Sequence, residues 1–318
     1  MKAQATKPGP SQGTKRSVRH FLDWRDVTRE DIAAILAEAH RRKKARGAEE
    51  ENLRGKSLAM IFEKNSTRTR VSFEVAMREL GGDPLVLQKE DLQLGRGETV
   101  ADTARVLSRY VHAMMLRAYH HNTLIELAQY ASVPVINGLT DLLHPCQLLA
   151  DVMTVEERLG SIRGKKVAWV GDGNNMANSW IVAAQMLGFS LALACPKTLP
   201  PDRSILASAL KAGADVKLVA TPQAAVDGAD VVNADTWVSM GDDDTLTRKQ
   251  AFTGYQVDAA LMKRAKKSAV FLHCLPAHRG EEVSDAVLDG PQSAVWDEAE
   301  NRLHTQKALL LWCFGEIV

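Results

Sequence analysis

The sequence predicts an α/β fold of two doubly wound domains, each with a central parallel sheet flanked by helices. Two observations carry that expectation. Short apolar runs alternate with segments of helical periodicity, the order that strand–helix–strand units produce. The alternation restarts after a long helical stretch, Pro145–Leu159, and 318 residues suit about two domains of ~150 each.

Element by element, Thr28 followed by Arg29, Glu30 and Asp31 reads as an N-cap with an acidic first turn. Ile32, Ile35, Leu36 and Ala39 recur behind it at helical spacing. Ser57–Phe62 is a short apolar run suited to a buried strand. Thr67–Leu80 follows with Val71, Phe73, Val75, Ala76 and Leu80 on helical faces, ended by Gly81 and Gly82. Pro84–Leu87, Ala113–Leu116 and Pro134–Ile136 are further strand candidates, with helical stretches at Thr99–Tyr110 and Thr123–Ala131. Pro145 suits a first helical position, where its missing N–H would have no partner anyway. Lys166–Val170, Ser190–Ala194, Asp215–Val219, Val231–Ala234 and Ala269–His273 supply the strands of the second unit.

Composition narrows the function classes. Hydrophobic residues make up 45% and charged residues 25%, the balance of a soluble globular protein. Lys+Arg 40 against Asp+Glu 39 leaves +1, which argues against a chain built around nucleic acid or an acidic membrane surface. No apolar run reaches the ~18 residues of a transmembrane helix. Cys146, Cys195, Cys274 and Cys313 show no CxxC spacing, so a reducing, cytoplasmic location is expected. Residues 1–19 hold Lys2, Lys7, Lys15, Arg16 and Arg19 with no acid, and read as a disordered basic tail.

In open parallel sheets, ligands bind beyond the carboxyl ends of the strands. Four polar clusters occupy such places. Ser66, Thr67, Arg68, Thr69 and Arg70 stand at a strand–helix junction. A capped helix N-terminus with hydroxyls and guanidinium groups is an anion site, and phosphate is its best match. The alternative is a capped helix with solvated arginines. GxxxxGK[ST] is absent, so a nucleoside triphosphate is not implied. His144 and Gln147, one turn apart across Pro145, could polarise and orient a carbonyl or amide group. A lone histidine is more often structural, and with no second His or Cys at i+3 or i+4 no metal is expected.

Gly171, Asp172, Gly173, Asn174 and Asn175 invite a dinucleotide reading. Met176 stands where the third glycine belongs, so this fingerprint is weak. Asp235 follows a strand and suits an ammonium group, while Ser239 and the backbone near Gly241 suit the rest of a zwitterion. Cys274 is either a nucleophile or a polar contact, and no activating base is evident. Asp242–Asp244 reads as a solvated turn. Together the clusters place an anion and a carbonyl against an amine.

On these motifs the sequence resembles the ornithine carbamoyltransferases of the aspartate/ornithine transcarbamylase superfamily. The resemblance runs from about Phe21 to the C-terminus. It rests on Ser66–Arg70, His144–Gln147, Asp235 with Ser239, Met240 and Gly241, and His273–Gly280. The first two belong to transcarbamylases broadly, the last two to the ornithine branch. The resemblance implies transfer of a carbamoyl group from carbamoyl phosphate to the δ-amine of L-ornithine. The products would be L-citrulline and phosphate, without metal or organic cofactor.

Ser66, Thr67, Arg68 and Thr69 would then hold phosphate. Arg117 would bridge phosphate and carbonyl oxygen, His144 and Gln147 would orient the carbamoyl group, and Arg302 would close over it. Asn175, Asp235, Ser239 and Met240 would take the α-amino and α-carboxylate groups of ornithine, with Cys274 and Leu275 beside the reacting amine. Gln93 would reach a neighbouring subunit's site in a homotrimer. The implied domains are 20–148 with the C-terminal helix 303–318 for carbamoyl phosphate, and 149–302 for ornithine. The C-terminal helix and a bridging helix would link them. Another amine such as putrescine or acetylornithine, a nicotinamide-dependent dehydrogenase and a nucleic-acid binder remain as alternatives. Trp180 is bulkier than the family pattern suggests.

Overall fold

The computed structural model describes residues 18–48, 50–92, 97–238 and 246–317. The first half runs α1 (Arg29–Lys44), β1 (Ser57–Phe62), α2 (Thr67–Glu79), β2 (Asp83–Gln88), α3 (Val100–Leu107), β3 (Ala113–Arg117), α4 (His121–Tyr130) and β4 (Val135–Leu139). α5 (Pro145–Leu159) leads into the second half. There β5 (Lys166–Val170), α6 (Asn175–Leu187), β6 (Ser190–Ala194), α7 (Arg203–Lys211) and β7 (Val216–Leu218) come first. α8 (Pro222–Val226), β8 (Val231–Ala234), α9 (Leu246–Ala251), α10 (Ala259–Met262), β9 (Val270–His273), α11 (Asp285–Leu288) and α12 (Val295–Phe314) complete it.

The strands form two sheets, ordered β2-β1-β3-β4 and β7-β6-β5-β8-β9, with every pairing parallel. The predicted α/β class and its two parallel sheets are therefore correct. In both sheets the order reverses beside the first strand, between β1 and β3 and between β5 and β8. Such switch points open a crevice at the strands' carboxyl ends.

Local chemistry explains the element boundaries. Thr28 Oγ1 accepts from the Asp31 N–H at 3.0 Å, and Asp31 returns the bond to the Thr28 N–H at 2.9 Å, a closed capping box. The stripe Ile32, Ile35, Leu36 and Ala39 is the face that α1 buries. α5 is buried over most of its length and joins the core through Cys146, Leu148, Leu149, Val152 and Met153. Trp180 is accommodated by packing edge-on against Phe189, with ring centroids 5.7 Å apart.

α12 begins at Val295, well before the expected start at 303. Its first turns escaped the hydropathy pattern because, beside Val295 and Leu303, the residues they bury are polar: Glu298, Asn301, Arg302 and Thr305. The helix packs against α1, α2 and α5. Of the expected basic tail, only Val18 and Arg19 are among the described residues. Arg19 donates to the carbonyl of Ile317 at 2.9 Å and lies over the Trp312 ring.

Candidate active site

Between the carboxyl ends of the two sheets lies a cavity of about 390 Å³. Ser66, Thr67, Arg68, Thr69, Arg117, His144, Gln147, Asn175, Asp235, Cys274, Leu275 and Arg302 all line it. These are all the predicted site residues that are described. Gln93, Ser239 and Met240 lie outside the described residues. Arg70 does not line the cavity and faces Glu74 on the helix surface at 3.8 Å.

On one wall, Ser66 caps α2 by accepting from the Thr69 N–H at 3.2 Å, leaving the first helical turn directed at the cavity. Arg117, at the end of β3, and Arg302, on α12, both donate to Thr69 Oγ1, at 3.4 and 3.3 Å. Both guanidinium groups are buried, and the Nε of each has no hydrogen-bond partner among the described residues. Burial, then the neighbouring Arg302, pushes Arg117 down to about 10. Cationic groups crowded this way call for an anion.

His144 is the N-cap of α5, held by its backbone N–H donating to Ser179 Oγ at 2.8 Å. Burial, reinforced by Arg302 and Arg117, holds its imidazole well below 6.5, so the ring is neutral. Gln147 Oε1 accepts from Arg302 Nη1 at 2.6 Å, which ties the amide to the cationic wall.

The opposite wall is organised around Asp235. Asn174 caps α6 by accepting from the N–H groups of Met176 and Ala177, and its amide donates to Asp235 Oδ2 at 2.8 Å. Cys274 Sγ donates to Asp235 Oδ1 at 3.2 Å. Burial and the Asp235 carboxylate push the Cys274 thiol well above its ordinary range. The sulfur is a protonated contact and lacks the thiolate that nucleophilic attack requires. Leu275 takes a left-handed backbone, φ 57°, with its N–H donating to His273 Nδ1 at 2.9 Å. Asn175 spans the crevice, its amide donating to the Thr140 carbonyl at 2.7 Å.

Gly173 answers the dinucleotide reading. A Cβ there would sit 2.1 Å from the Pro200 carbonyl carbon, so the glycine serves chain packing. Asp172 pairs with Arg248 at 2.6 Å. Among the described residues, two groups have donor atoms close enough to hold a cation: Asp235, His273 and Cys274, and His278, Glu281 and Glu282. In the first, His273 already engages the Leu275 N–H and, across 3.1 Å, Glu282. A metal would have to displace one of them.

The lining also includes Lys64, Thr236 and His278, to which the sequence assigned no role, and Asn174, polar enough on sequence grounds to hold a ligand, lies behind it. Asn174 was detectable as an N-cap candidate. Thr236 carried no local signal.

The family model "Aspartate/ornithine carbamoyltransferase, carbamoyl-P binding domain" matches residues 19–157. The model for the Asp/Orn binding domain of the same family matches residues 163–313. The chain is 54% identical to an ornithine carbamoyltransferase of Rhizorhabdus wittichii, over 94% of this chain and 99% of that one. It is 55% identical to one of Caulobacter vibrioides, over 94% and 98%. Among solved structures, ornithine carbamoyltransferase from Pyrococcus furiosus superposes with a TM-score of 0.89 at 51% identity, covering 92% of this chain and 96% of that one. With the two halves matched in order by the two models of one family over nearly the whole chain, the chain belongs to the aspartate/ornithine carbamoyltransferase family.

Proposed function

We propose that the protein transfers the carbamoyl group of carbamoyl phosphate to the δ-amine of L-ornithine, releasing L-citrulline and phosphate. The reaction is a step of the arginine-biosynthesis type. The observation that carries this reading is the meeting of the guanidinium groups of Arg117 and Arg302, each with its Nε unpartnered among the described residues, with the Asp235 carboxylate across one cavity. Residues 20–148 with 303–318 form the carbamoyl phosphate domain in this reading, and 149–302 the ornithine domain.

Phosphate sits at the N-terminus of α2, held by Ser66, Thr67, Arg68 and Thr69. Arg117 spans phosphate and carbonyl oxygen, and His144 and Gln147 orient the carbamoyl group under Arg302. Ornithine's δ-amine resembles a lysine, with an ordinary pKa of ~10.4, and the cationic wall favours its neutral form. The lone pair attacks the carbonyl carbon, and Arg117 with neutral His144 stabilises the tetrahedral oxyanion. The C–O bond to phosphate then breaks, and the departing phosphate takes the amine's proton. Asn175, Asp235, Ser239 and Met240 hold the α-amino and α-carboxylate groups, and Cys274 and Leu275 border the reacting nitrogen.

The assembly in this reading is a cytoplasmic homotrimer in which Gln93 reaches a neighbouring active site. No helix among the described residues is long and apolar enough to cross a membrane. The test is carbamoylated product formation from carbamoyl phosphate with ornithine, acetylornithine, putrescine and aspartate in parallel. Ornithine should dominate, and a preference for any other amine would overturn the substrate assignment. Mass measurement in solution tests the trimer.

A further inference from the structure

Behind Gln147, away from the cavity, lies a cluster that the mechanism does not use. Asp151 is one turn after Gln147 on α5, and Glu298 is one turn before Arg302 on α12. Both carboxyl groups are fully buried, and they contact each other. Gln147 Nε2 donates to Asp151 Oδ1 at 2.8 Å and to Glu298 Oε1 at 3.0 Å. Glu298 Oε2 accepts the backbone N–H of His273 at 2.8 Å, next to Cys274 on the opposite wall. Asp151 Oδ2 is buried without a donor among the described residues.

Two touching carboxyl groups in a dry site do not both ionise. One proton between them gives Asp151 Oδ2 its missing partner and leaves a single negative charge near Arg302. Burial raises both groups above the ordinary carboxylate range, and the Asp151 charge raises Glu298 further. The other groups facing the pair are Arg302 on α12, Asp235 beyond β8 and Cys274 beyond β9.

The amide of Gln147 can be turned either way at almost no steric cost. With both N–H bonds given to the acidic pair, its oxygen lies beside Arg302, on the lining. A flipped amide would set N–H groups against Arg302 and leave the carboxyl groups facing an oxygen. We propose that Asp151 and Glu298 are a positioning pair sharing one proton, which fixes the Gln147 oxygen as an acceptor for the carbamoyl NH₂. This rests on the carbamoyl-transfer reading. It makes the pair the determinant that separates a carbamoyl group from an acetyl group, which has no N–H to give.

The test uses the full chain as wild type, Asp151→Asn, Glu298→Gln and the double variant. Asp151→Asn keeps the Glu298 carboxylate and mimics a protonated Asp151, so its kcat and KM should stay within about threefold of wild type. Glu298→Gln leaves one oxygen to serve both Gln147 and His273 and should be the more impaired single variant. Both single variants should lose an ionisation from the pH profile of kcat/KM for carbamoyl phosphate. The double variant frees the Gln147 amide. Its KM for carbamoyl phosphate should rise about tenfold or more, with kcat falling less, and its preference for carbamoyl over acetyl phosphate should shrink in proportion. A double variant with wild-type KM and preference, or an Asp151→Asn variant as impaired as the double, would overturn the pair. If the double variant does not fold, persistence of the ionisation in either single variant overturns it and loss from both supports it. A wild-type protein that makes no citrulline fails the functional reading instead.

Discussion

On the wall built from α2, β3 and α12, the guanidinium groups of Arg117 and Arg302 converge on a single hydroxyl, with an Nε of each left without a partner among the described residues. Across the cavity, the Asp235 carboxylate is already met by the Asn174 amide and the Cys274 thiol. The first wall holds charge that a ligand must neutralise, at a cost to the folded state. The second holds charge whose direction is set in advance. An anion therefore binds the first wall by relieving repulsion, and an ammonium group binds the second by fitting a prepared acceptor.

Arg117→Met should break that contrast most severely. Loss of a donor to the developing oxyanion is expected to lower kcat by about 10²–10³-fold. Removing a buried, incompletely partnered cation should leave the thermal midpoint unchanged or raised. Steady-state kinetics paired with thermal unfolding check both parts, and a variant that is active but unstable would show that Arg117 serves packing. Next in size is Asp235→Asn, which keeps shape and removes charge. Weakening a charge-assisted hydrogen bond of ~1.5–3 kcal/mol should raise the KM for ornithine by about 10–100-fold, leaving carbamoyl phosphate affinity near wild type. Calorimetry with each substrate separates the two. If carbamoyl phosphate affinity fell instead, the division of labour between the walls would be wrong.

Acid stability sharpens the comparison from the first wall alone. His144 stays neutral in the folded protein, whereas in the unfolded chain it takes a proton below its ordinary 6.5. Its contribution is thus fully present above pH 6.5 and is lost as the pH falls from there towards the depressed folded value. Between pH 6.5 and 5, unfolding free energy should fall less steeply in His144→Asn than in wild type, by up to about 1.4 kcal/mol per pH unit. Equal slopes would mean that the native imidazole takes up a proton in that range.

The difference between the walls also explains what the sequence made legible. Ser66–Thr69 and His144–Gln147 are each local, a cap and a helical turn, so spacing along the chain already grouped them. Arg302 carries no such signal. It meets Thr69 only because α12 returns to pack on α2 and α5, and only the family resemblance pointed to it. Both sheets could be read because each strand is a short apolar run bounded by helical periodicity. The start of α12 could not, since Glu298, Asn301 and Thr305 look solvent-facing until their buried partners are known. Asp151 and Glu298 were hidden for the same reason: acidic residues on helices read as surface, and only the fold brings them into contact.

Cys274→Ser carries the smallest expected effect, and it tests how the prepared wall works. A serine hydroxyl can keep the hydrogen bond that Cys274 Sγ now donates to Asp235 Oδ1. If the sulfur only orients that carboxylate, activity should fall by no more than about tenfold, a loss of the size of one neutral hydrogen bond with altered geometry. A nucleophilic cysteine would behave otherwise: its serine replacement would remove turnover almost entirely and abolish any burst of phosphate release. Rapid-quench measurement of the first turnover distinguishes the two. The high thiol pKa imposed by burial and by Asp235 argues for the first outcome, because the same carboxylate that prepares the wall for an ammonium group keeps the sulfur protonated.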